Sequence, residues 1–301
     1  MQTDFSAIKN NLFPASHAAI DDWHKFPWHR HKGQIQTHKP HSSQALGIDV
    51  FGTIKVSKDR DLVLGALARK CGVPDDGPWT LKLEWIDPAN LLNEPTPTQT
   101  DAVAFGKHAL IVIECKFTEG GGGCSQVKLK PLEQDPQRLA RQCNGNYEIQ
   151  VNPLNGKEAR CALNGKGVRY WETIPGIFGL DAEQDHRPCP FRRDAYQWMR
   201  NVVLADRLAS DRGISDAVIV AYAHADCFAT AKKVRSGRLG QAAASGAPLM
   251  TPISYQSLVA LAQSVSAQSS EWSELGVWVE WKISAEIERI NTGPGRPETE
   301  A

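Results

Sequence analysis

Residues 100–119 read TDAVAFGKHALIVIECKFTE. Five apolar residues, Ala109 to Ile113, run directly into Glu114, Cys115 and Lys116. A strand this apolar is buried, and charges at its end are costly unless they are paired or hold a metal. Residues 100–105 and 109–117 read as two strands joined at Gly106-Lys107, a hairpin signal. Side chains two apart on a strand share a face, so Glu114 and Lys116 point one way and Cys115 the other. With a two- or four-residue loop Asp101 joins that same side; a three-residue loop or a bulge sends it elsewhere. Two carboxylates so close repel, and one pKa rises unless a cation lies between them. A divalent ion meets that need, and hard oxygen ligands favour Mg²⁺ or Mn²⁺. Lys116 then stabilises the charge of an attacked phosphate, or orients and deprotonates the attacking water.

The surrounding elements extend this unit. Upstream, Ser42 or Ser43 caps a short amphipathic helix with Leu46, Val50 and Ile54 on one face. A second helix fits 58–71, with Leu62, Leu64, Leu67 and Ala68 inward and Gly72 just past its end. Residues 79–86, WTLKLEWI, alternate as a strand with Trp79, Leu81, Leu83 and Trp85 on one face and Glu84 on the other. Downstream, Gly120 to Gly123 interrupts the sheet, and a loop-rich insertion at about 120–190 carries four cysteines. Residues 191–208 form the strongest helical pattern, 217–222 a buried strand, and 254–266 and 271–290 two more helices. A basic loop lies between 222 and 254, and the polar tail GPGRPETEA reads as disordered. The expected class is a mixed α/β fold: an N-terminal His/Trp-rich arm or cap at 1–41, a core at 42–240, and a C-terminal helical extension at 241–301.

Asp101, twelve intervening residues, then Glu114-Cys115-Lys116 after an apolar strand resembles the active-site signature of the PD-(D/E)XK nuclease superfamily. The stretches SSQAL, TDAVAF, IECKFTE and CPFRRDAYQWMRN are similar to a bacterial group of proposed restriction endonucleases, over roughly residues 42–225. The resemblance implies a restriction-endonuclease-like core: helix, three-stranded antiparallel meander, helix, strand. It also implies a Mg²⁺-dependent endonuclease acting on DNA, with Asp101, Glu114 and the backbone carbonyl of Cys115 as metal ligands and Lys116 assisting the water. Thr100 stands where the family has its variable Pro. Related nucleases, the RecB-like branch especially, place a Gln and often a Tyr on the helix after the hairpin, which Gln197 and Tyr196 match. A double-strand cutter of this kind implies a homodimer, and the implied role is defence against foreign DNA.

Other residues compete for parts in this chemistry. Glu84 offers a third acid, with Gln44 and Asp49 on the early helix as rivals. Cys124, Cys143, Cys161 and Cys189 invite a structural Zn²⁺ or an iron–sulfur cluster, with His186 as a substitute ligand. Their wide spacing lacks the close pairs of zinc ribbons, which favours free buried thiols. Basic residues gather at 25–39, at Arg187, Arg192, Arg193 and Arg200, and at Lys232, Lys233, Arg235 and Arg238; the last group suits a phosphate-gripping loop.

Bulk composition narrows the alternatives. The chain has 301 residues, 34 basic and 34 acidic, so no overall charge draws it to nucleic acid and any such partner meets local patches. The first residues show no export signal and no apolar run spans a membrane, which with reduced cysteines points to the cytoplasm. HExxH, GxSxG and deaminase signatures are absent from the sequence. The rival reading is a nucleic-acid-binding scaffold on a nuclease fold without catalysis.

Overall fold

The computed structural model describes residues 5–132, 135–237, 249–266 and 269–292. The chain folds around a five-stranded mixed sheet. Its strands are β1 (Thr80–Ile86), β2 (Gln99–Phe105), β3 (Ala109–Lys116), β4 (Ser215–Tyr222) and β5 (Thr251–Ser254), in the order β5-β4-β3-β2-β1. β1, β2 and β3 are antiparallel neighbours, whereas β4 runs parallel to β3 and β5 to β4. Every residue of β3 is buried. That is why it reads as a continuous apolar run: both of its faces are covered.

One face carries the early and the late helices. α1 (Ser43–Gly47) is capped by the Ser42 hydroxyl, which accepts from the Ala45 N–H, and continues through a π-helical turn (Ile48–Gly52) into α2 (Thr53–Val56). α3 (Arg60–Lys70) follows, and Gly72 takes the positive φ of a helix end at 74°. Leu46, Val50, Ile54, Leu64 and Leu67 pack against Ala102, Ala104, Ile111 and Ile113, together with Leu258 and Leu275 of α6 (Tyr255–Val265) and α7 (Ser270–Thr292). A Cβ at Gly47 would lie 2.9 Å from the Cys115 sulfur, so only glycine lets α1 approach the site strand this closely. The opposite face carries α4 (Tyr196–Arg212), whose Val202, Val203 and Leu208 meet Val112, Val218 and Val220. The N-terminal arm packs Ile8, Leu12, Trp28 and Ile35 onto Ala45 and Ile48 of the first helix.

Five expectations are corrected by this packing. Leu62 is 56% exposed, because α3 turns Val63, Leu64 and Leu67 to the core instead. Trp85 joins the α4-side cluster, ring against Phe105, rather than the face of Leu81. The cause is Glu84, which takes a left-handed φ of 46° and breaks the alternation of the strand. α4 begins at Tyr196 rather than 191, since Phe191 is drawn into the core as part of a turn. The edge strand β5 escapes a pattern reading because it is four residues long and contains Pro252. The basic segment after β4 is partly a helix, α5 (Ala229–Arg235), not a loop. The tail at 293–301 lies outside the described residues. No helix among those described is long and apolar enough to cross a membrane.

Candidate active site

The hairpin between β2 and β3 closes with Phe105 opposite Leu110, leaving a four-residue loop. Continuing the register from Ala102↔Ile113 by one step sets Asp101 across from Glu114. The Asp101 carboxylate accepts from the Cys115 backbone N–H at 2.6 Å, so it is anchored to the neighbouring strand. On the other side of β2, the pairs Leu83↔Ala102 and Trp85↔Thr100 bracket Glu84, which thus stands beside Asp101. A non-glycine residue held at positive φ costs on the order of 1 kcal/mol, which the flanking ladder sustains. Lys116 lies one pleat beyond Glu114, and its ammonium donates to the Glu114 carboxylate at 2.5 Å.

These groups lie on the floor of an open cleft of about 830 Å³. The sequence-derived residues Glu84, Asp101, Glu114, Cys115, Lys116 and Gln197 all line it. Glu114 is almost wholly buried and saturated with donors. Lys116 and the Gln197 amide donate to one oxygen, and the Asn201 amide to the other at 2.6 Å. Gln197 is itself fixed by the Gly122 N–H, which donates to its carbonyl oxygen at 2.8 Å. Lys116 also faces the Trp198 ring at 5.7 Å and Glu119 at 3.8 Å. Gln99 donates to Glu84. Asn201, Gln99 and Glu119 went unread in the sequence. Asn201 sits one helical turn after Gln197 and Gln99 two residues before Asp101, so face-sharing alone would have found both.

The arm forms the facing wall, bringing His29, Arg30, Lys39 and His41 to the cleft. Gln44 ties it there: its oxygen accepts from the His29 N–H at 2.9 Å and its amide donates to the Pro27 carbonyl at 3.1 Å. Other candidates lie elsewhere. Asp49 is fully buried in an ion pair with Lys282. Tyr196 bonds Tyr170 at 2.9 Å, away from the cleft. Lys233 pairs with Asp194 at 2.6 Å and holds the Gly120 carbonyl, and Arg235 pairs with Asp226. α5 therefore pins the glycine segment rather than offering a free cationic loop. Lys232 is exposed on α5 and Arg238 lies outside the described residues. Arg192 lines the cysteine cavity described below, and neither it nor Arg193 reaches the cleft.

Electrostatics explain the strain in this cluster. Burial pushes Glu84 up to about 7, against donors from Gln44 and Gln99, and the charge of Glu114 adds to the rise. Asp101 is held well above the usual carboxylate range by burial, then by Glu114, with Lys116 opposing. Burial pulls Lys116 down, but Glu114, Asp101 and Glu119 outweigh it and leave its pKa raised. Glu84, Asp101 and Glu114 thus crowd around the Lys116 ammonium, a donor set suited to a hard divalent cation. Among the described residues no three His, Cys, Asp or Glu side chains already close on one metal-binding point.

The raised pKa has a testable sign. Glu84 starts from 4.5 and reaches about 7 in the fold, so the folded state holds this proton more tightly. Its contribution is present in full below pH 4.5 and is lost as pH rises through 7. In EDTA, urea unfolding should show the native chain losing up to about 3 kcal/mol relative to Glu84→Gln across that window. Parallel stability curves for the two proteins would show that Glu84 is not held protonated.

The chain matches the family described as restriction endonuclease associating with ARP over residues 7–275. It belongs to that family. The match takes in the arm, the sheet, the insertion and α6, and extends into α7, so the cleft and both of its walls lie inside the family region. No curated protein and no solved structure matches the chain.

Proposed function

We propose that this protein is a Mg²⁺- or Mn²⁺-dependent endonuclease of the PD-(D/E)XK type, hydrolysing DNA phosphodiester bonds in defence against foreign DNA. The observation that carries the reading is the convergence of Asp101, Glu114 and Lys116 on adjacent strand ends at the floor of an open cleft. Helix, antiparallel meander, helix and parallel strand follow one another in the order expected of a restriction-endonuclease-like core. Membership of a restriction-endonuclease family supports the choice of DNA and of a defence role.

Asp101, Glu114 and the Cys115 carbonyl would hold the metal, with Glu84 a further acid at its edge. When bound, such an ion lowers the pKa of a coordinated water and steadies the leaving oxygen. Lys116, an ammonium throughout the working pH range, sits where it can meet a phosphate oxygen and stabilise charge as it develops. Gln197 and Asn201 keep the Glu114 carboxylate oriented while Lys116 turns to substrate. Arg30 and Lys39 on the opposite wall are placed to take flanking phosphates. Cutting both strands would use two copies, each acting on one.

The test is incubation of the purified protein with unmethylated phage and plasmid DNA, in Mg²⁺ or in EDTA. Discrete fragments that require the metal are the expected result. DNA that is bound but left intact under all divalent ions would replace the enzyme with a nucleic-acid-binding scaffold.

A further inference from the structure

Outside the cleft, the insertion between β3 and α4 packs Tyr147, Tyr170, Trp171 and Phe178 into the core but carries little sheet. Its only ladders among the described residues are two-residue pairs, Lys130–Pro131 with Leu139–Ala140 and Gln150–Val151 with Glu158–Ala159. No disulfide is present, yet Cys124, Cys143, Cys161 and Cys189, from four separate stretches, line one internal cavity. That void is small, about 30 Å³. It has room for a single ion.

The surroundings of the sulfurs carry the argument further. Each accepts backbone N–H groups from just downstream. Gln126 and Val127 donate to Cys124, Gly145 to Cys143 at 3.4 Å, Leu163 and Asn164 to Cys161, and Phe191 to Cys189. A neutral thiol is a weak acceptor, so four such turns are arranged for thiolates. Arg160 and Arg192 also border the cavity and would offset the surplus negative charge of four thiolates on a dication. His186 takes no part: its Nε2 contacts the Asp181 carbonyl at 2.7 Å and its ring stacks on Tyr147.

We propose that Cys124, Cys143, Cys161 and Cys189 form a four-sulfur site for one structural Zn²⁺ that cross-links the insertion. No three of the sulfurs already meet at one point, so binding would draw them inward from the cavity wall onto the ion. Each thiol would release its proton to solvent as its sulfur takes the metal, with no change of oxidation state. The site is independent of the nuclease reading, since none of its residues lines the cleft.

Elemental analysis of the full-length protein after EDTA dialysis should find about one zinc per chain. The Cys161→Ser, Cys189→Ser double variant should lose it. Because that variant can unfold, the native chain is also loaded with Co²⁺, which should show the absorption of a tetrahedral four-thiolate site. In the zinc-loaded protein the four thiols should resist alkylation until an organomercurial releases the metal. A folded, zinc-free protein whose thiols alkylate freely would overturn the site. So would a disulfide among the four, and iron with sulfide would replace the single ion by a cluster.

Discussion

Lys116→Ala protein should cut DNA about 10²–10³-fold more slowly than the native chain at saturating Mg²⁺, while binding DNA with little change. The Lys116 ammonium lies 2.5 Å from Glu114, among acids that raise its pKa, so it does not act as a neutral base at working pH. Its proposed contribution is positive charge beside the attacked phosphate. Removing it leaves Glu114 with the amides of Gln197 and Asn201, enough donors for the carboxylate to stay satisfied. The fold should therefore survive, which thermal melting of the variant checks. Lys116→Arg keeps the charge but not the compact ammonium, and should recover only part of the rate. An alanine variant cleaving within a few-fold of native would remove Lys116 from the mechanism.

Lys282→Met should destabilise the protein by about 3–5 kcal/mol, a large share of the roughly 5–15 kcal/mol that holds a domain together. Asp49 and Lys282 form an ion pair with essentially no solvent exposure. Asp49 also accepts from the Phe13 N–H at 2.7 Å and the Trp278 indole at 2.9 Å, and Lys282 donates to the Asn11 carbonyl. One carboxylate in the π-helical turn thus joins the arm, the first helix and α7. Losing the lysine leaves that charge buried without a counterion, and the arm that walls the cleft loses an anchor. The double variant Asp49→Leu, Lys282→Met should regain much of the loss, because neither charge is then stranded. Urea unfolding measures both, and additive losses in the double variant would contradict a coupled pair.

Part of the site was legible because it is local. The two-residue period of a strand put Glu114 and Lys116 on one side before any packing is known, and the observed register, with four residues in the loop, then set Asp101 beside them. Ser42 as the cap of the first helix and Gly72 at the end of the next were readable for similar reasons. Gln197 was reachable only through resemblance, and Asn201 only as the residue one turn further along the same helix face. The basic residues after β4 show the limit of charge counting. Lys233 and Arg235 look free in sequence, but Asp194, the Gly120 carbonyl and Asp226 engage them.

What the sequence determined by itself was the hairpin, the shared face of Glu114 and Lys116 and the mixed α/β class, since periodicity acts within a few residues. Tertiary structure alone decided the rest. It set the arm against the cleft through Gln44, and turned Trp85 to the other layer by the left-handed backbone at Glu84. It gathered Cys124, Cys143, Cys161 and Cys189 around one void from positions far apart in the chain. Long-range packing fixes such meetings through burial and hydrogen-bond satisfaction, and spacing along a chain does not encode them.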